Sequence, residues 1–434
     1  MTLAATRSSA EPGDLLAELR RAPNATRFYW RSADRQVELV GLGEVAALES
    51  AGAERLERAA ARAEALWRGL AIDGVEAPPE AGPLLVGGFG FWDDATSDPD
   101  WRGFPALRFW VPEVLIARIG TSCFRTVARA AVRPDGARVT PEVTRSPDGS
   151  CLRRASGGGF SACAEPPQAE FARAVTHATE AIDAGDLEKV VLARACTLVQ
   201  AGGFEPTRVL GALREAQPDC FVYGVGLGAA TFVGASPERL LRRDGDELRA
   251  DALAGSAPRG RTPDEDAGRG RDLFESAKER EEHAIVCRAV LSALGKRCAE
   301  VRAADTPSLL RLEGIQHLHT PVWGRLPPGE RPSLLALAAG LFPTPAVGGA
   351  PRAAALDFLR RHEAAQRGWY SGAIGWLAPS GDGELCVALR SALLRGDAAT
   401  LHAGVGIVAG STPEAELAET RWKFASALGA LVEL

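Results

Sequence analysis

No stretch of this sequence is both apolar enough and long enough to cross a bilayer. The longest apolar runs, such as Leu334–Phe342, fall well short of the ~20 residues a span requires. The first residues, MTLAATRSSAEPG, lack the apolar block of a secretory signal. The expectation from these two absences is a cytoplasmic protein. A basic stripe is also missing. Net charge is -6 with a pI near 5.7, and Lys and Arg are scattered among acids, so a phosphate backbone finds no electrostatic footprint and nucleic acid is excluded as a partner. The eight cysteines, at positions 123, 151, 163, 196, 220, 287, 298 and 386, include no Cys-x-x-Cys pair, which argues against a zinc ribbon and a redox dithiol. They read as small, mostly buried, reduced side chains with no disulfide framework. Neither Ser236 nor Ser256 has the flanking glycines of a nucleophile elbow, and no repeat of solenoid or propeller length is present.

What is present is an ordinary globular composition, 46% hydrophobic and 24% charged over 434 residues, enough for a large core that folds without external staples. Residues 1–13 read as a loose end. A short helical pattern from Leu15 leads into strand-like Arg27–Trp30 and Gln36–Leu42, then an Ala/Glu/Arg-rich amphipathic helix over Ala46–Leu70. Leu84–Trp92 and Phe109–Ile119 read as strands. Between Arg145 and Gln168 the composition shifts to Ser, Gly, Pro and Ala, which is linker chemistry and divides the chain into regions 1–164 and 165–434. Beyond it, a helix over Ala169–Ala184 precedes Lys189–Val199, apolar enough for a strand covered on both faces. Strands are expected at Cys220–Leu227, Ala230–Ala235, Leu240–Arg243, Leu248–Leu253, Trp369–Leu377, Glu384–Leu394 and Ala399–Val408, and helices at Asp264–Leu294, Pro332–Leu341, Pro351–Gln366 and Pro413–Leu431. Runs of strands punctuated by helices predict an α+β fold, with large mixed or antiparallel sheets and helices packed outside.

Two of the helices carry acids at helical spacing. Glu279 and Glu282 share one face, with His283 beside them; Glu416, Glu419 and Lys423 share another. By spacing alone these are solvated faces with an i,i+4 Glu–Lys pair. One Glu from each helix would also suffice for Mg2+, which takes one or two carboxylates plus an anionic substrate group. Gly224-x-Gly226-x-x-Ala229 and Gly404-x-Gly406-x-x-Ala409 loosely match a dinucleotide fingerprint. The first, however, runs into a strand, and the second has no acid ~20 positions on to hold a ribose. These glycines more naturally let backbone N–H groups approach a small carboxylate ligand. His317-x-His319 lies in an extended segment with no third metal ligand nearby in sequence, which favours a structural or substrate-facing role.

Taken together, EKVVLAR (Glu188–Arg194), GASPERL (Gly234–Leu240), LAGSAPRG (Leu253–Gly260), ESAKEREEH (Glu275–His283), QHLHT (Gln316–Thr320), FPTPAVGGAP (Phe342–Pro351), GWYSGAIG (Gly368–Gly375), VALR (Val387–Arg390) and AGVGIVAGSTPEAELAETRWK (Ala403–Lys423) resemble, in order, the chorismate-utilising enzymes: anthranilate, aminodeoxychorismate, isochorismate and salicylate synthases. The blocks cover most of residues 165–434; the amino-terminal third resembles the family only loosely.

The resemblance implies that Glu282 and Glu419 hold Mg2+, with Glu279 and Glu416 supporting, and that the metal grips the ring carboxylate of chorismate. It implies that Tyr370, Arg390, Lys423 and the backbones of Gly255, Ser256, Gly404, Val405 and Gly406 hold the substrate's carboxylates. Lys189 matches the water-activating base of isochorismate and salicylate synthases, and Glu238 the general acid. Those roles require the Lys189 pKa to move down and that of Glu238 to move up. FPTPAVGG and LAGSA resemble isochorismate synthases more than the aminating branch. The implied reaction is therefore water addition at C2 of chorismate with loss of the C4 hydroxyl, feeding menaquinone or siderophore/salicylate biosynthesis. Salicylate synthase and the aminating synthases are the alternatives. A monomer without a glutamine amidotransferase subunit is expected. His319 departs from the small residue the resemblance implies there.

Overall fold

The computed structural model describes every residue except 1, 12, 23–25, 33, 35, 95–97, 132–159, 166 and 433–434; for 131, 160–165 and 425–432 it describes the backbone only. Two large sheets dominate, one of thirteen strands and one of ten. Nearly all pairings are antiparallel, and the exception is Thr2–Ser9, which runs parallel to Ala71–Gly74. Alternation along each strand sends one set of side chains into the space between the sheets and the other under helices. Phe28 and Trp30 of the larger sheet thus meet Val86, Trp110 and Trp376 of the smaller one in a single aromatic-rich core. Tyr29, between them in sequence, faces the helices Leu15–Arg21 and Pro206–Ala216 instead. On the opposite side, helices Arg55–Trp67, Ala277–Gly295 and Leu334–Leu341 cover the smaller sheet. The result is four layers, helix–sheet–sheet–helix, as an α+β arrangement predicts.

Both sheets draw strands from either side of residues 164/165. Ala398–Ile407, Ser391–Arg395, Ala230–Ser236 and Phe221–Leu227 continue directly into Arg27–Ser32 and Val37–Leu42 in the larger sheet, and Ala373–Leu377 pairs with Leu85–Phe89 in the smaller. Most of the Ser/Gly-rich segment Arg145–Gln168 lies outside the described residues; its end forms the strand Phe160–Glu165, which pairs with Lys189–Gln200.

Several expectations are corrected. The first residues are not loose: Thr2–Ser9 pairs along its whole length with Ser122–Ala131, burying Leu3 and Ala5. Its polar alternate positions hid the strand. Ala46–Glu49 is a strand at the end of the smaller sheet, and the helix begins only at Arg55, after Ser50-Ala51-Gly52 breaks the chain direction. The long helix expected over Asp264–Leu294 is two, Pro263–Glu275 and Ala277–Gly295. They are separated by Ser276, whose extended ψ of 118° ends one helix while its hydroxyl caps the next. Phe109–Ile119 is also divided, at Pro112-Glu113, into Leu107–Val111 of the smaller sheet and Val114–Ile119 of the larger.

The division that matters most falls in Glu384–Leu394. Gly383–Val387 belongs to the smaller sheet and Ser391–Arg395 to the larger, so the chain crosses from one to the other over Ala388–Arg390. A second crossing lies beside it, from Ala230–Ser236 to Arg239–Asp244 over Pro237-Glu238. The two are hydrogen-bonded together, Val387 N to Glu238 O at 3.0 Å and Ala235 N to Arg390 O at 3.3 Å. Glu238 and Arg390 therefore occupy paired corners where the sheets exchange strands.

Candidate active site

The paired corners open onto a cavity lined among others by Glu238, Ser256, Glu282, Tyr370, Arg390 and Lys423. Two lining residues other than glycine adopt left-handed backbone, Ser371 at φ 58° and Arg390 at φ 47°. Such conformations cost about 1–3 kcal/mol each and persist only where the surroundings impose them, which marks the cavity wall as a place where geometry outranks local comfort.

Strand Ala398–Ile407 forms one side. It pairs with Lys189–Gln200 along its length, but its pairing with Ser391–Arg395 stops at Leu401, so from His402 onward the other edge has no strand partner. Gly404 and Gly406 lie on that open edge and line the cavity. A Cβ at Gly406 would stand 2.1 Å from Glu282 Oε1 and 2.9 Å from Lys189 Cε, and one at Gly404 would stand 2.8 Å from the Tyr370 hydroxyl. The glycines therefore serve close approach, not a nucleotide. Val405 between them points into the core and can offer a ligand only its backbone.

The two acid-bearing helices converge here. Ser276 caps Ala277–Gly295 by accepting from Glu279 N, and Glu279 turns its own carboxylate to the Ser256 amide, Oε2 to N at 3.0 Å. A bulge at Gly255, φ 74°, presents that amide. Three lysines pair with the other acids: Lys189 with Glu282 at 2.9 Å, Lys423 with Glu419 at 2.7 Å and Lys278 with Glu416 at 2.8 Å. Lys423 also donates to Gly404 O at 2.8 Å. Burial opposes the Glu282 charge, yet hydrogen-bonded Lys189, with Lys423 and Lys278 behind it, holds that carboxyl below its usual range. Burial, then the charges of Glu282 and Glu419, pushes Glu279 up to about 7.

Among the described residues no three or more His, Cys, Asp or Glu side chains form a ready metal cage. The donor set nevertheless suits a hard cation supplied together with a substrate anion. It consists of carboxylate oxygens from two helices, where burial, then the charges of neighbouring glutamates, raises Glu279 and Glu416.

Across the cavity, Arg390 lies deep with part of its surface open to the space. Its Nη2 is 2.7 Å from His317 Nε2. A guanidinium only donates, so Nε2 accepts, the proton sits on Nδ1, and Nδ1–H lies 3.0 Å from Ser256 Oγ and 3.2 Å from Gly255 O, both of which can accept it. Burial, then the charges of Arg390 and Lys423, keeps this imidazole neutral, well below its usual pKa. Arg390 Nη1 is buried without a hydrogen-bond partner, with the Cys220 thiol beside the guanidinium. It is a donor placed for an anion. Glu238 is 2% exposed, its Oε1 has no hydrogen-bond partner, and burial, then the neighbouring charge of Asp251, lifts its carboxyl to about 8 against the pull of Lys189. A lysine paired with a carboxylate and a carboxylic acid that keeps its proton at neutral pH thus lie within electrostatic reach, in a site furnished with cations for a substrate anion.

The residues matched to the resemblance fall in or against this one site, whereas His319, Gly224 and Gly226 line other cavities. Some members were missed. His402 stacks on Tyr370, with ring centroids 5.0 Å apart and planes at 17°, and its Nε2–H donates to Gln366 O at 3.1 Å. The alternation His402, Gly404, Gly406 along one strand could have exposed it. Ser371 and Lys278 carried no sequence signal beyond adjacency to matched residues. His317 and His319, two apart on one strand, line different cavities.

The sequence matches the family described as chorismate binding enzyme over residues 1–432. It is 33% identical to the isochorismate synthase MenF of Bacillus subtilis over 93% of this chain and 88% of that one. It is 36% identical to the salicylate biosynthesis isochorismate synthase of Pseudomonas aeruginosa over 94% and 86%. The fold superposes on MenF, the menaquinone-specific isochorismate synthase of Escherichia coli, with a TM-score of 0.78 and 25% identity, covering 99% of this chain and 94% of that one.

The Glu238 carboxyl generates a stability prediction. Unfolded, it releases its proton near 4.5; folded, it keeps the proton to about 8, so the folded state binds more protons across that window and stability falls as pH rises through it. Glu238→Gln removes this term. Its Tm relative to the parent should rise progressively from pH 5 to pH 8 in calorimetry. A difference that stays constant with pH would contradict the raised carboxyl.

Proposed function

The chain belongs to the family of chorismate-binding enzymes, and on that premise we propose that it is an isochorismate synthase, an isomerase that moves a hydroxyl from C4 to C2 of chorismate by way of water. The observation that carries the reading is a cavity lined by Glu238, whose raised carboxyl keeps its proton, and by Glu282, with Lys189 buried directly behind Glu282 at 2.9 Å. Lys189 acts as the neutral amine: its ammonium proton is first given up to solvent, and the freed lone pair then takes a proton from a water whose oxygen bonds to C2. The ring double bonds shift, the C4–O bond breaks, and Glu238 gives its proton to the departing oxygen, which leaves as water. Arg390, oriented by neutral His317, and Lys423 bind substrate carboxylate, assisted by the open backbone edge at Gly404 and Gly406 and by the Gly255-Ser256 bulge. Arg390 suits this because a planar fork matches a carboxylate better than a point charge does. Tyr370 closes the same side. Relatives named for menaquinone and for salicylate biosynthesis are both isochorismate synthases, which supports the shared reaction and leaves either pathway as its consumer.

Glu282 and Glu419 would hold Mg2+, with Glu279 and Glu416 beside them. When bound, the ion supplies a hard positive charge against a substrate carboxylate. Three lysines against the four glutamates leave the cluster one negative charge in excess if all are ionised, and a divalent cation entering with a dianion keeps that balance.

Purified protein with chorismate and Mg2+ should form isochorismate reversibly, with neither salicylate as the main product nor an aminated product on adding ammonium. Chromatography decides: equimolar pyruvate and salicylate would move the assignment to salicylate synthase. Lys189→Ala and Glu238→Gln should each lower kcat at least ~100-fold, with the double change little worse. Near-normal turnover by Lys189→Ala would remove water activation from that residue.

Chelation should abolish turnover and added Mg2+ restore it. Glu282→Gln or Glu419→Gln should lose most activity while circular dichroism stays parental. A variant that keeps parental activity and its Mg2+ dependence would take that glutamate out of the metal site.

A further inference from the structure

A second cavity lies on the far side of the Pro237 corner, which lines both. Its walls include Asp251, His319 and Arg239, none of which the reaction above employs. Asp251, 8% exposed, stands on strand Glu247–Pro258 with both carboxylate oxygens engaged. Oδ2 accepts from the backbone N of Arg239 at 3.0 Å, the residue directly after Glu238. Oδ1 lies 3.0 Å from His319 Nε2, presented by the neighbouring strand Ile315–Arg325. Arg239 is occupied elsewhere, its Nε bonding Glu384 at 2.9 Å and its Nη2 bonding Asp34, while its Nη1 stays 3.8 Å from Asp251. Asp251 is therefore an acid pinned to the backbone of the Glu238 corner, with His319 bonded to it on the wall of the outer cavity.

We propose that Asp251 and His319 are positioning residues for Glu238: Asp251 fixes the corner and sets a negative charge behind the Glu238 carboxyl, and His319 holds that charge in place. The proposal rests on Glu238 being the acid of the isomerisation. A carboxyl that must deliver a proton to a departing hydroxyl has to retain it at neutral pH, and a like charge in a dry setting opposes its loss. Glu238 is faced by Lys189 from strand Lys189–Gln200, which works the other way, by Asp251, and by the thiol of Cys386 from strand Gly383–Val387. Asp251 is faced by Arg239 and His319, with Glu384 and Asp34 beyond Arg239. His283 and His317 lie within reach of His319. Of these, only Asp251 is both a like charge beside Glu238 and bonded to its corner. This gives His319, an unexpected residue at its position, a reason to be there.

Difference infrared titration of the ligand-free full chain tests this, with the Glu238 carboxyl band identified by its loss in Glu238→Gln. Asn at 251 still accepts from Arg239 N and can donate to His319, so Asp251→Asn removes charge and little else. The Glu238 midpoint should fall by about one pH unit or more. His319→Ala should move it the same way by less, and His319→Gln, which still donates to Asp251, should restore it. The alkaline limb of kcat on chorismate should follow the infrared midpoint, with KM little changed. An unmoved midpoint in Asp251→Asn overturns the proposal. Should that variant not fold, an unmoved midpoint in His319→Ala overturns it equally. If the parent fails to turn over chorismate, the functional reading falls, while the infrared midpoints still decide this one.

Discussion

Lys189 has no exposed surface, and an ammonium taken out of water must find a counter-charge or give up its proton. Its partner is Glu282, 2.9 Å away, and that single contact fixes much of the molecule. It ties strand Lys189–Gln200 of the larger sheet to helix Ala277–Gly295, which covers the smaller one. It leaves no room for a Cβ at Gly406. It also places the Lys189 ammonium against one of the four clustered glutamates. Breaking such a pair by removing one partner typically costs about 3–5 kcal/mol, because the other charge stays buried. Lys189 and the carboxylate cluster are therefore structurally inseparable.

The second constraint is topological. Two neighbouring strand crossings between the sheets carry Glu238 and Arg390, and the hydrogen bonds between the crossings set their relation. Left-handed backbone at Arg390 and Ser371 turns the chain at the cavity wall, where regular strand would have continued. Arg367, wholly buried and bonded to Glu363 and to the carbonyls of Val347 and Val191, locks the opposite wall to the strand bearing Lys189. The site is thus built mainly from sheet corners and helix starts, which tolerate little displacement.

The sequence shows why some of this was legible and some not. The acid stripes at i,i+3 and the glycine pair at i,i+2 are local signals, and both proved to belong to one site. The resemblance to chorismate-utilising enzymes joined them, which spacing alone could not do. Hidden were the places where an unbroken apolar run changes sheets. Glu384–Leu394 reads as one strand because both halves are buried, and nothing local announces the turn at Arg390. The first strand, Thr2–Ser9, was hidden for the opposite reason: five of its eight residues are polar and only Leu3 and Ala5 are buried. The contacts of Asp251 with His319 and of Lys278 with Glu416 join residues far apart in the chain, and no periodicity encodes them.

The central claim is that the hydroxyl gained at C2 comes from solvent and the one lost at C4 returns to it, with Lys189 and Glu238 handling the two protons. Turnover of chorismate in 18O-enriched water, followed by mass spectrometry of the product, tests this most directly. The account predicts one heavy oxygen per isochorismate, located at the C2 hydroxyl from the first turnover. Isochorismate formed in the same water with only its original oxygens would mean that the hydroxyl migrates within the substrate, and would contradict the account.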